Sequence, residues 1–528
     1  MKYAEFLKTN DHAFNVRKAL EYCKENNITS LEFDKGRYDF FENMATEAPY
    51  FTSNHGVNGF KRIAFLLKDM KNFTIDGGSS EFVFHDIMNP FVVDNCKNIE
   101  LKNFSVFTPK AFSNTADVIA TGDGWFDVKL QSNQEHFVKR GQLFFGENLK
   151  NYPVEILLEA EPNKKYLRRD FADYYLRNDD IVEELSEDTV RFHCIKRQPP
   201  ILHNKMLLMC RARDAAQILL TKSQNIKINN YIAYSGIGMG VLAQKCENVY
   251  IDRMQTKCKE ERYVSLNADA THFVHCMGEV KITNSDFSGQ LDDAFNVHGI
   301  YTKIIDITKN QILVKYMHHQ AKGLDIYDVG SQIQIVDPLS LLPKENFKIT
   351  KVEVLNSDCT LLTLDNETHN ISLGDMVEDI RLHPEVVFEK NKITFNRARG
   401  ILLGSRKRTI IKDNYFNTAG VAILFESNGS FWFESGGTTD VVIENNIFED
   451  CKYGKWGSAV IEVVPREKTV ENKYFHKNII VKGNKFKNSN ARSMYINNVE
   501  RLTLENNQFA ECQQQEVVTE HCKNIITN

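Results

Sequence analysis

Three aspartates stand where chemistry could be done. Asp269 precedes Asp292 by 23 residues and Asp293 by 24, within a polar stretch, SLNADATHFVHCMGEVKITNSDFSGQLDDAFNVHGIY, that runs from Ser265 to Tyr301. Carboxyls brought within a few ångströms of one another resist simultaneous ionisation, so at least one is driven toward its protonated form. A carboxylic acid to protonate a leaving oxygen and a carboxylate to activate water are what glycoside hydrolysis requires. A lone Asp-Asp pair at a turn is more often solvated, or caps backbone N–H groups. The conjunction of Asn267, Asp269, Asp292, Asp293 and His298 in one short stretch is what lifts these residues above that reading. Neighbours in a regular strand point to opposite faces, so Asp292 and Asp293 converge only across a bend, for which Gly289 leaves room.

The elements that must hold these carboxyls come from a repeat. One phrase recurs along the chain, a polar residue followed by alternating apolar positions and often by Asn and Phe, as in NIELKNF from Asn98, NIKINN from Asn225, EVKITNSDF from Glu279, TIIKDNYF from Thr409, VVIENNIF from Val441 and RLTLENNQF from Arg501. Its second apolar position falls at Ile75, Leu101, Ile228, Ile251, Ile282, Ile411, Ile443, Val481 and Leu504, in steps of 23 to 38 residues except for two of 127 and 129. Apolar alternation at period 2 denotes strands, and a strand-and-turn unit of this length denotes a coil of a parallel β-helix. Residues one coil apart then sit above one another, which places Asp269 against the Asp292/Asp293 pair. The Asn content has the same origin, because Asn accepts left-handed turn geometry and its amide can bond to the Asn of the next coil.

The fold expected is an all-β, right-handed parallel β-helix with an N-terminal capping helix and two inserted small antiparallel β-barrel-like modules. The cap is DHAFNVRKALEYCKENN, with Phe14, Val16, Ala19, Leu20 and Cys23 at helical spacing and Asp11 able to cap its start. The two long steps contain period-2 strands with turn signals between them. The expected organisation is therefore 1–110, cap and first coils; 111–205, first module; 206–300, central coils with the site; 301–385, second module; 386–528, final coils.

Composition excludes several classes. Sixty-five basic against seventy acidic residues, a net charge of -5 and no long basic block argue against nucleic acid as a partner. No apolar run approaches a membrane span and no secretory h-region opens the chain, so neither a membrane partner nor export is expected, and a cytoplasmic location is. The eleven cysteines are scattered without a CxxC pair, as buried apolar residues of a reduced compartment. His272-x-x-His275 and His318-His319 lack further ligands, so no metal and no cofactor are expected.

The Asn-Ala-Asp at 267–269, Asp-Asp at 292–293 and His-Gly at 298–299 resemble the catalytic pattern of polygalacturonase-type β-helix glycosidases. More closely, NADATHF, GQLDDAFNVHGIY and WFESGGTTDVVIENNIF are similar to glycoside hydrolase family 110, exo-acting α-1,3-galactosidases that remove blood-group-B galactose. The likeness extends over nearly the whole chain and both inserted modules. It implies inverting, metal-independent hydrolysis of a glycan ending in α-linked galactose, with Asp292 as acid and Asp269 and Asp293 holding and deprotonating the water. The His-Gly follows the Asp-Asp more closely than in polygalacturonases and no Arg-Ile-Lys motif occurs; Arg397-Ala-Arg399 stands in roughly that place, with Arg399 the candidate for sugar binding. Trp432, one of three Trp, and Glu434 are further candidates, an indole face and a carboxylate suiting a sugar, while Phe431 and Phe433 are expected in the core. Asn267 and His298 complete the expected binding set. Another β-helix glycosidase, or a non-catalytic sugar-binding solenoid, is the rival reading, and a homodimer through the modules is left open.

Overall fold

The computed structural model describes every residue except 57–58, 111–112, 132–134, 147–151, 164–165, 260–261, 466–467 and 513–515. Two long sheets, of 20 and 13 strands among the described residues, run the length of a parallel β-helix. The repeat marker is its register: Ile75 pairs with Leu101, Leu101 with Ile228, Ile228 with Ile251 and Ile251 with Ile282. Ile411, Ile443, Val481 and Leu504 continue the same row. Between Ile282 and Ile411 stands a coil that the repeat did not reveal, Glu385–Glu389 and Lys392–Thr394, whose Phe388 pairs with both.

The bore is apolar. Phe416, Phe448, Phe486 and Phe509 stack at centroid spacings of 5.0, 4.9 and 5.2 Å, close to the strand separation of a sheet. Two kinds of Asn ladder edge it. Asn72, Asn98, Asn225 and Asn248, all at positive φ, pass side-chain hydrogen bonds from coil to coil at the surface. Asn391, Asn414, Asn446, Asn484 and Asn507 do so in the interior, each taking the backbone N–H of the coil before it. The N-terminal helix is His12–Glu25, with Asp11 accepting from the Ala13 N–H at 2.9 Å. Ala13 lies on its buried face and Phe14 lies at the edge, where Arg17 covers it.

The two insertions differ. The first is an open antiparallel sheet of seven strands beside one of three. Its strand Lys205–Met209 pairs with Ser113–Gly122, so this sheet runs past the boundary at 205. The second is a closed six-stranded barrel formed between Thr302 and Asp379. No helix among the described residues is long and apolar enough to cross a membrane.

Candidate active site

Coil stacking brings the carboxyls together. Thr271 pairs with Phe295 and Phe295 with Ile401, and the residues just before them form a column, with Ala270 N–H donating to Asp293 O at 2.8 Å and Ala294 N–H to Arg399 O at 3.3 Å. Asp269, Asp293 and Arg399 thus occupy one position on three successive coils. Asp292 reaches the same patch because the chain bends between the strands Asp286–Ser288 and Phe295–Ile300, Gly289 adopting φ +75°. Oxygens of all three aspartates lie within 4.8 Å of one another, and all three residues are buried.

Two guanidinium groups divide the carboxyls. Arg399 grips Asp293 through Nε and Nη2 at 2.7 and 2.8 Å, and its N–H adds a third bond at 3.2 Å. Arg213 donates to Asp292 Oδ2, while Arg399 stands 3.8 Å from Asp292 Oδ1. Burial pushes Asp292 up, but Arg213, Arg399 and Arg397 together more than offset this and hold it below the usual carboxylate range. Asp269 has no guanidinium in contact; burial first and the Asp292 charge second raise it to about 8. Burial first, and the Asp292 and Asp269 charges after it, push Asp293 well above the usual carboxylate range against the pull of Arg399. The geometry thus pairs Asp293 with Arg399, sets Asp292 beside Arg213, and leaves Asp269 the carboxyl without a guanidinium in contact. The three sets of oxygens could also face a cation, but Asp292 and Asp293 already have guanidinium partners.

A pocket of about 190 Å³ opens over Asp269 and Asp292. Ile156, Tyr175 and Met209 of the first module wall one side, and Gln320 of the second, with Trp432 and Glu434, walls the other. Trp432 is partly exposed and leans on the His318 ring at 4.8 Å between centroids. Arg399 also lines the pocket. Asp293 is fully buried behind it. Asn267 does not reach it: its amide donates to Cys210 O and Ala212 O at 3.0 and 2.8 Å, anchoring the segment that carries Arg213. His298 is likewise buried behind the wall. Phe433 is in the core as expected, but Phe431 is exposed, because the turn at 428–432 folds back on the Asn428 side chain and points that ring outward.

Sequence reasoning missed Arg213, Asn296 and His272. Asn296 is buried at the pocket with its Oδ1 unpaired, as an acceptor for a ligand hydroxyl would be. Arg213 gives no signal beyond its place at the end of the first insertion. His272 lines the pocket, with Nδ1 2.7 Å from Asp269 Oδ2, while His275 turns away to accept from the Ile300 N–H. The two rings of His-x-x-His therefore serve different partners.

Burying Asp269 opposes folding. An unfolded Asp releases its proton near pH 3.8 and the native one near 8, so the native state binds more protons across that window and stability falls as pH rises through it. Asp269→Asn should therefore raise the melting temperature, by more at pH 8 than at pH 4.5, with a gain on the order of a few kcal/mol at the upper end. Thermal denaturation at both pH values measures this; an equal or negative shift at pH 8 refutes a raised Asp269.

A parallel β-helix with two carboxyls in different surroundings facing one pocket suits the acid and base work of a glycoside hydrolase. The GLAA-B beta-barrel domain II model matches residues 311–377, within the closed barrel. The chain is 31% identical over 504 residues to alpha-1,3-galactosidase A of Shewanella woodyi, covering 94% of this chain and 82% of that one. It is 27% identical over 534 residues to alpha-1,3-galactosidase B of Bacteroides thetaiotaomicron, covering 97% and 86%. Among solved structures it is similar to the family 28 exopolygalacturonase of Yersinia enterocolitica, at 10% identity and TM-score 0.42 over 99% of this chain and 77% of that one. The chain belongs to the α-1,3-galactosidase family, glycoside hydrolase family 110, and is an α-galactosidase.

Proposed function

We propose that the protein releases terminal α-1,3-linked galactose from branched blood-group-B or linear Galα1-3Gal glycans by a single displacement with inversion, without a metal. The observation that carries the reading is the unequal pairing of two carboxyls that face one pocket, Asp292 beside Arg213 and Arg399 and Asp269 without a guanidinium in contact. Asp269, neutral, protonates the leaving oxygen; Asp292, ionised, takes a proton from the attacking water. These roles reverse those the resemblance implies, because Arg213 and Arg399 stand against Asp292, whereas on Asp269 they act only without contact and are outweighed by burial and the Asp292 charge. Carboxyl oxygens within 4.8 Å are closer than the roughly 6.5–9.5 Å usual for inverting pairs. Both Asp292 oxygens, however, face guanidinium groups, which suits a carboxylate that holds water better than one that must form an ester to the sugar.

Proton NMR of the first-formed galactose, with EDTA present, tests this. β-Galactose is expected from both glycan types; α-galactose overturns the single displacement, and no release overturns the substrate. Leaving groups test the roles. Asp269→Asn should lose turnover on the disaccharide yet keep most of it on an aryl α-galactoside whose phenol leaves unaided; if Asp292→Asn shows that pattern instead, the roles are exchanged.

A further inference from the structure

The loop 428–434 belongs to the β-helix, between the strands Ile423–Phe425 and Val441–Glu444, yet it is seated on the closed barrel. Three contacts hold it there. A Cβ on Gly429 would stand 2.7 Å from Met376 Cε and 3.0 Å from Leu341 Cδ2, so the backbone lies directly on two barrel side chains. Trp432 leans on the His318 ring. Phe433 is buried in one apolar cluster with Val336, Leu341 and Met376 of the barrel, Tyr301 at its root and Phe475 of a later coil. Lys303 covers that ring, with Nζ 5.6 Å from its centroid.

Phe433 stands between Trp432 and Glu434, which both line the pocket, while its own side chain faces the barrel. Its φ is +57°. Gly or Asn takes that left-handed conformation readily and an aromatic residue seldom does, so the turn by itself gives no reason for a benzyl group here. The socket does. The backbone around the ring is pinned as well: Phe433 O accepts from the Tyr301 N–H at 2.8 Å, Glu434 and Ser435 pair antiparallel with Ile300 and Gly299, and Glu434 O accepts from the Asn428 N–H at 3.0 Å. With the ring seated and the turn bonded on both sides, the flanking side chains have only the pocket to enter. Binding groups held by packed neighbours in this way are set to within a fraction of an ångström.

We propose that Phe433 is a positioning residue for sugar binding: its ring, seated in the barrel, sets Trp432 and Glu434 over the pocket. The barrel thereby shapes a site whose three aspartates all lie outside it. This rests on Trp432 and Glu434 taking the sugar in the proposed reaction. Phe433 acts through its two neighbours, so its loss weakens binding more than turnover. A sugar grip that is equal in the ground and transition states is lost as KM and not as kcat.

The experiment compares Phe433→Gly, which suits the φ of +57° but has no ring, with Phe433→Leu, which keeps an apolar side chain for the socket. Phe433→Gly should raise KM for an α-1,3-linked galactoside, and Kd for galactose by calorimetric titration, about tenfold with kcat within about twofold of wild type. Phe433→Leu should recover most of this. A loss confined to kcat, or to melting temperature with KM and Kd unchanged, indicates a merely structural ring and overturns the proposal. The route through the neighbour is tested in a Trp432→Ala background, where Phe433→Gly should raise Kd by no more than about threefold, because much of what it disturbs is already gone. An undiminished effect there also overturns the proposal. If Phe433→Gly does not fold, Met376→Ala opens the same socket from the barrel side and should raise Kd in the wild-type background but not in Trp432→Ala; equal effects in both overturn the proposal. Titration with galactose needs no turnover. Failure to release galactose from the glycans would thus overturn the hydrolysis reading and leave the Kd comparison standing, whereas a wild type that binds no galactose overturns the proposal itself.

Discussion

Asp292→Asn should lower kcat/KM for an α-1,3-linked galactoside by about 10³-fold, within the range a positioned acid or base supplies, while the protein stays folded. The amide keeps the shape of the carboxyl but cannot take a proton from water. The loss has a second source. The Asp292 charge is one of the causes that keep Asp269 protonated, and Arg213, freed of its partner, would act on Asp269 alone. The residual activity should therefore lose its basic limb at lower pH than the wild type. Because the two carboxyls act as a unit, the Asp269→Asn/Asp292→Asn double variant should be little slower than the worse single one. Azide, which needs no base, should restore galactose transfer to Asp292→Asn as β-galactosyl azide. Wild-type-like turnover in Asp292→Asn would remove this residue from the chemistry.

Asn446→Ala should cost roughly 3–5 kcal/mol of stability, because it leaves several buried polar groups without partners. The Asn446 amide donates to Ile411 O at 2.9 Å and to Asn484 Oδ1 at 3.0 Å, and its oxygen accepts from both the backbone and side-chain nitrogens of Asn414 at 2.9 Å. Alanine removes all four bonds in the interior, where water cannot replace them. The surface ladder is the control. Asn225 is only half-buried, within reach of water, so Asn225→Ala should cost only about 1–2 kcal/mol, chiefly from placing Ala at its φ of +55°. Denaturant midpoints of the two variants measure the contrast; equal midpoints would show that the interior amides contribute nothing special.

Most of the β-helix was legible because its coils must present apolar residues at period 2 and reuse the same turn residues. The coil at Glu385–Thr394 was not, since Phe388 replaces the usual aliphatic marker and the barrel separates it from Ile282. The proximity of Asp269, Asp292 and Asp293 was legible from coil spacing, and the polar residues around them marked the stretch as a candidate site. Their division of labour was not, because it depends on Arg213 and Arg399, which arrive from distant points in the sequence. Asn267 was read as a sugar ligand from its place beside Asp269, yet in a turn one residue decides inside from outside, and its amide is used on the backbone of 210–212. His272 was considered only as a metal ligand. Its actual partner lies on the next coil, and only the strand register reveals it.

The coil ending near Ile282 and the coil beginning at Glu385 are hydrogen-bonded neighbours although a whole barrel lies between them. Closing so long an excursion costs only logarithmically more than closing a short one. A folded barrel, moreover, fixes its own ends. The barrel and its rim can thus be lengthened, recut or exchanged without disturbing the column of Asp269, Asp293 and Arg399. What changes with them is the wall at Gln320 and the His318 support of Trp432, so the accepted aglycone can be altered independently of the bond-breaking apparatus.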